Sequence, residues 1–307
     1  MLRYILIFLI GCTTDVSISK TYKNSDDTSI VRDNTATLTE TANDPKDTGE
    51  STLSQDLSNT VAYVEMGLMQ ASCPYCMGLQ QEINITAKAR FHQPTTGEHT
   101  SWLPSQSGCR DYYASSVTSP NINANGTVTL INDFGDNVQL QQSADQTGVI
   151  YESNFFLESN FRRNSYHTLK VNNKTAQDVI QTLRGFDYVE PYTMLYVDPS
   201  YAFQAPINRY GNNLFTWGPS GDNNSFFTIH ISVYSYDGSQ YYGTVICRSE
   251  DVGSMSIPGS YFQQYQQGSL VSIHLMRHRI FKKEYEDFDG TIEGYSWWEV
   301  IGTGYIQ

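Results

Sequence analysis

From about Thr60 the chain is written in twos. Ile83, Ile85, Ala87, Ala89 and Phe91 alternate with Asn84, Thr86, Lys88 and Arg90. Side chains of a strand point to opposite faces in turn, so this pattern predicts a strand with one buried face. Residues 128–130, 138–140, 148–151 and 167–171 continue the theme, separated by clusters of Asn, Asp, Gly and Pro. Gly126, Gly135 and Gly148 fall where turns need a permissive φ. Residues 175–184 read as a short amphipathic helix capped by Thr175, with a strand as the alternative.

A second series begins near residue 200. Residues 214–217 are short, 226–234 alternate well, and Asp237-Gly238 marks a hairpin turn before residues 241–247 return. Pro258 opens a small helix over 258–265, and residues 270–280 and 294–305 close the chain. Short strands at this spacing, with few helical periods, predict an all-β fold. The expected architecture is two β-sandwich domains, immunoglobulin-like or jelly-roll-like, over 60–198 and 199–307.

The N-terminus follows a different grammar. Arg3 precedes the apolar run Tyr4-Ile5-Leu6-Ile7-Phe8-Leu9-Ile10, then Gly11 and Cys12. One positive charge, a short apolar stretch and a small residue before a cut site make an export signal, too short to span a bilayer. Leu9-Ile10-Gly11-Cys12 resembles the lipobox of bacterial lipoproteins. The resemblance implies that residues 1–11 are a signal peptide, that Cys12 receives a diacylglycerol and a further acyl chain such as palmitate, and that these chains hold the protein on a membrane. Thr13 after the lipidated cysteine implies outer-membrane delivery, since the retention pattern has Asp there.

Residues 12–59 carry the tether. Between 13 and 59 there are 17 Ser or Thr and nine Asp or Glu against four Lys or Arg, with Tyr22 the sole aromatic. So little apolar surface cannot offset chain entropy, so a disordered acidic linker is expected. By the scaling for flexible chains it reaches about 35–40 Å.

Across all 307 residues the formal charge is −13. Neutralising phosphates needs a basic surface, so no nucleic acid partner is expected. With 22 Tyr, 14 Phe and 4 Trp, global disorder is excluded.

Setting Cys12 aside leaves Cys73, Cys76, Cys109 and Cys247. An even number in an exported chain predicts disulfides, with three pairings open. The expected arrangement joins the Cys73–Cys76 loop to the turn at Cys109 and gives Cys247 the remaining cysteine. Cys73-Pro74-Tyr75-Cys76 has redox spacing, but the strand at 83 leaves little room for the helix that lowers a thiol pKa. A four-cysteine zinc site lacks its second close pair.

Other candidate chemistry is sparse. His92, His99, His167, His230, His274 and His278 read as structural or surface residues, with no HExxH pattern. Asp287, Asp289 and Glu293 near Gly290 resemble part of a calcium loop, but the ligand register fails, and a solvated hairpin tip is the preferred reading. Neighbouring Trp297 and Trp298 face opposite sides of a strand; one exposed, with the Tyr-rich 234–242 segment, would offer a glycan or protein an aromatic platform. No GxSxG elbow is present, and no cofactor is expected.

Phe215-Thr216-Trp217-Gly218-Pro219, Val245-Ile246-Cys247, Asp251-Val252-Gly253-Ser254, Ile257-Pro258 and a strand bearing Arg277 resemble the C-terminal half of uncharacterised two-domain surface lipoproteins of bacteria. Asn125-Gly126-Thr127-Val128-Thr129-Leu130 fits their N-terminal half. The resemblance implies architecture and no catalytic set. The resulting expectation is a membrane-anchored envelope lipoprotein, non-enzymatic, with a structural or interaction role. Alternatives are a carbohydrate-binding or adhesin module, a cryptic hydrolase or a thiol-disulfide protein.

Overall fold

The computed structural model describes residues 59–72, 81–95, 103–111, 120–145, 147–153, 161–186, 189–190 and 205–307. In chain order the strands are β1 (Thr60–Ser72), β2 (Gln81–Thr95), β3 (Gly108–Asp111), β4 (Asn121–Ile122), β5 (Val128–Asn132) and β6 (Asn137–Asp145). Then come β7 (Gly148–Ser153), β8 (Tyr166–Val171), β9 (Lys174–Gln181), β10 (Val189–Glu190), β11 (Ala205–Ile207) and β12 (Asn212–Trp217). The series ends with β13 (Ser225–Tyr234), β14 (Tyr241–Glu250), β15 (Ser254–Pro258), β16 (Leu270–Tyr285) and β17 (Gly290–Ile306). The fold is all-β. Among the described residues no helix is long and apolar enough to cross a membrane.

Fourteen strands join one sheet, in the order β3-β14-β13-β16-β17-β1-β2-β4-β7-β6-β5-β8-β9, with β11 added beside β17; β10-β12-β15 form a small second sheet. The spine is the hairpin of β16 and β17, paired from Leu270↔Tyr305 to Tyr285↔Gly290. β1 lies parallel to β17 and antiparallel to β2. It is an inner strand with apolar residues on both faces, which is why its sequence alternates poorly.

The division expected after residue 198 falls outside the described residues, and strands from both sides of it share the large sheet. Two large buried clusters lie along the sheet, and the first draws on residues from both sides of that division. Val64, Met66, Leu68, Ala87, Leu130, Leu169, Val179, Ile180 and Trp298 pack in one. Phe215, Trp217, Phe227, Ile229, Ile231, Ile273 and Leu275 pack in the other, where the Trp217 and Phe227 rings stack at 3.6 Å.

The helix expected over 175–184 is instead the strand β9, hairpinned to β8 across Asn172 (φ 55°). Ala176, Val179 and Ile180 are buried at helix-like spacing because Asp178 sits at φ 56° and shifts the register with β8. Three residues of β9, 177–179, lie opposite the single residue 168 of β8, so the bulge breaks the alternation and the spacing imitates 3.6 residues per turn. The small helix after Pro258 is a single 3-10 turn, Gly259–Phe262.

Candidate functional site

Three expected features can be placed first. Cys12, Cys73 and Cys76, with the expected linker as far as residue 58, lie outside the described residues. Cys109 does not join the 73–76 loop; it is bonded to Cys247. The reason is strand pairing: β3 adds to the edge of β14 with Cys109 directly opposite Cys247. Partners 138 residues apart in sequence are thereby neighbours, which spacing alone does not reveal.

The acidic run forms the tip of the β16–β17 hairpin, with a 3-10 turn at Glu286–Phe288 and Asp289 at φ 53°. Asp287, Asp289 and Glu293 are not gathered into a cation site, and no such group of His, Cys, Asp or Glu exists among the described residues. Asp287 instead accepts the Thr175 backbone N–H at 2.9 Å, while Glu293 is fully buried near Lys282. Asp287 thus ties the hairpin tip to β9, and Glu293 pairs within the hairpin.

The tryptophans do face opposite sides, but neither forms an exposed platform. Trp298 is buried edge-on against Phe161. Trp297 is partly buried beside Tyr63, Leu103, Phe226 and Tyr295. It lies so close over Gly67 that a Cβ there would sit 1.8 Å from the indole. The exposed aromatics are elsewhere.

The sheet face opposite the two large cores carries the smaller cluster around Tyr63, Leu103, Phe226 and Tyr295 and, beside it, a run of polar residues. Strand alternation puts Thr228, His230 and Ser232 of β13 on it, with Ser272, His274 and His278 of β16 and Tyr295 and Glu299 of β17. Register supplies the neighbours, setting His230 opposite His274, Ser232 opposite Ser272, and Glu299 diagonal to His274.

At the deep end the Thr228 hydroxyl bridges His230 Nε2 at 2.9 Å and His278 Nε2 at 2.6 Å, and His278 Nδ1 meets the Tyr295 hydroxyl at 2.8 Å. The Tyr63 hydroxyl donates to Glu65 at 2.9 Å. Burial, then the nearby His274, holds the His230 imidazole down to about 3. Burial, with His230 and Arg248, likewise keeps His278 well below the usual value. Burial, then Glu65, pushes the Tyr63 and Tyr295 phenols well up. Burial thus favours the uncharged forms of these two imidazoles and two phenols.

The other end reaches the surface. Ser272 Oγ is 2.9 Å from His274 Nε2, and His274 Nδ1 is 2.6 Å from Glu299 Oε1. Beside them Ser232 Oγ meets Thr244 Oγ1 at 2.6 Å, and Thr244 meets the Tyr241 hydroxyl at 2.8 Å. A rim of tyrosines follows. Tyr234 and Tyr241 lie 5.6 Å apart, Tyr242 stacks with Tyr265, and Tyr236 is 81% exposed on the β13–β14 loop. That loop turns at Asp237-Gly238 as the sequence predicts, with Gly238 at φ 73°. The Ser235 and Ser239 hydroxyls hold the Asp237 carboxyl down to about 2 and tie the loop.

Sequence reasoning read His274 and His278 as structural or surface residues and flagged the 234–242 tyrosines. It missed Ser272 and Glu299. Ser272 was reachable by parity with His274; Glu299 was not, because its place depends on the register of the β16–β17 hairpin. No family model matches this chain, and no curated protein matches its sequence.

Proposed function

We propose that this protein is a lipid-anchored envelope protein whose β-rich body displays an interaction surface, with the tyrosine rim as its contact. The anchoring half of this reading rests on Leu9-Ile10-Gly11-Cys12 and the acidic, Ser/Thr-rich stretch after it. Acyl chains on Cys12 would tether the body to the outer membrane, and the linker would let it reach outward.

The observation that carries the contact is the set of exposed rings, Tyr236, Tyr241 and Tyr242, gathered at one end of the sheet. Tyrosine gives a rigid apolar face and a hydrogen-bonding tip at low entropic cost. Ser235, Ser239 and Asp237 add polar groups beside the rings. A neutral glycan suits this mixture, since ring faces stack on sugar C–H surfaces while hydroxyls pair with hydroxyls. The anionic chain disfavours acidic partners.

Two measurements test it. Mass spectrometry of the mature amino terminus should find residues 1–11 removed and Cys12 acylated, and Cys12→Ala should leave the membrane fraction. Full-length protein in detergent on a glycan array should bind, and Tyr236→Ala with Tyr241→Ala should weaken that binding about tenfold, from about 0.5–1.5 kcal/mol per aromatic contact. An unprocessed terminus removes the anchor; an array without signal, or variants binding as before, removes the glycan contact.

A further inference from the structure

Ser272, His274 and Glu299 form a line of hydrogen bonds, and one tautomer of His274 gives each atom a role. If the Glu299 carboxylate accepts the Nδ1–H of His274, then Nε2 is left as an acceptor facing the Ser272 hydroxyl. That order of hydroxyl, imidazole and carboxylate is what activates a serine, and it is recognised by geometry regardless of fold. The His274 side chain is 28% exposed and Glu299 11%, so the imidazole is accessible while the group that orients it is sheltered.

We propose that Ser272 is a nucleophile toward carboxylic esters, with His274 its general base and Glu299 the positioning residue. The inference goes beyond the interaction surface and does not depend on what the tyrosine rim binds. Ser272 Oγ attacks the ester carbonyl carbon, its proton passes to His274 Nε2, and the carbonyl π electrons move onto oxygen. The oxyanion then collapses, the bond to the alcohol oxygen breaks, and His274 returns the proton to that oxygen. Water is the second reactant. It loses a proton to His274 as it attacks the acyl-serine, and the serine oxygen takes that proton back as the acid leaves.

The sheet also fixes where the oxyanion finds its donors. β16 is an inner strand whose backbone is paired with β13 and β17, so no pair of backbone N–H groups is spare beside Ser272. Side-chain hydroxyls take that place. Ser232 lies directly opposite Ser272, where cross-strand Cβ atoms are about 4.5–5.5 Å apart. Its hydroxyl is joined through Thr244 to Tyr241.

The test is to treat the full-length protein with a fluorophosphonate probe, map the label by peptide mass spectrometry, and follow p-nitrophenyl acetate hydrolysis in parallel. Label is expected on Ser272, and Ser272→Ala should lose both label and hydrolysis. Glu299→Gln should slow labelling at least about 100-fold while Glu299→Asp retains most of it, a rescue that a merely structural carboxylate would not give. Ser232→Ala should slow hydrolysis about tenfold or more. The proposal falls if Ser272 in the folded wild type stays unlabelled. It also falls if Ser272→Ala, folded by circular dichroism, hydrolyses the ester at the wild-type rate. Should Ser272→Ala not fold, labelling of the wild type decides alone.

Discussion

Arg277 is fully buried and donates from Nε to Asp251 Oδ2 at 2.7 Å. Its remaining four N–H groups are used as well. Nη1 reaches the Arg184 and Gly185 carbonyls at 2.8 and 2.9 Å, and Nη2 reaches the Gly218 carbonyl and Asp251 Oδ1. Asp251 also accepts Trp217 Nε1 at 2.7 Å and Ser225 Oγ at 2.9 Å. One ion pair thus ties the chain leaving β9 to the ends of β12 and β14. Trp217, Asp251 and Arg277, which the sequence shows as scattered members of a loose pattern, are one network.

Removing one partner should therefore be costly. Arg277→Met leaves a buried carboxylate without its cation and is expected to lower stability by about 3–5 kcal/mol in urea denaturation. Arg277→Met combined with Asp251→Asn should recover part of that loss. A single variant within 1 kcal/mol of wild type, roughly the scale of a surface pair, would mean that the pair carries no structural weight.

Acid should unfold the protein in two stages. His230 and His278 are depressed in the folded state, so below about pH 6.5 the unfolded chain binds protons that the native state refuses. Stability then falls with falling pH by up to about 1.4 kcal/mol per histidine per pH unit. Asp251 acts lower. Burial pushes its carboxyl up, but the Ser220 hydrogen bond, Arg277 and Trp217 outweigh this and leave it below the usual range. Its contribution is present above about pH 4 and is lost as pH falls through its folded value. Urea midpoints at pH 7.5 and 5.5 check the histidine part, which a flat response contradicts; the gap between wild type and Asp251→Asn should narrow between pH 5.5 and 2.5, and an unchanged gap contradicts the Asp251 part.

Gly294 cannot carry a side chain. A Cβ there would sit 1.7 Å from the Val179 carbonyl oxygen, where β9 crosses over β17. Backbone cannot swing aside as a side-chain tip can, so Gly294→Ala is expected to cost about 3 kcal/mol or more, read as a fall in melting temperature. A melting temperature equal to wild type would place the two strands further apart than described.

The Cys109–Cys247 bond closes a long loop at a sheet edge. Non-reduced peptide mapping should recover the two cysteines in one linked peptide. The double variant Cys109→Ser with Cys247→Ser should be less stable by about 2–5 kcal/mol, an effect of unfolded-chain entropy that grows slowly with loop length. A mapped bond from Cys109 to Cys73 or Cys76 would refute the pairing.

The sequence alone determined the class of fold and much of its segmentation. Alternation over 83–91 and 226–234, with the Asp237-Gly238 turn between two runs, specifies strands because side-chain direction and turn sterics act over a few residues. The same local rule misread β9, where one left-handed residue, Asp178, resets the alternation. Tertiary structure decided which cysteines meet, that Trp297 and Trp298 pack inward, and that Glu299 stands beside His274. Each of these depends on the pairing register between strands, not on local sequence. Register is set by the summed burial of whole faces and by β-bulges, not by the residues it brings together, so the site is assembled only once the sheet is.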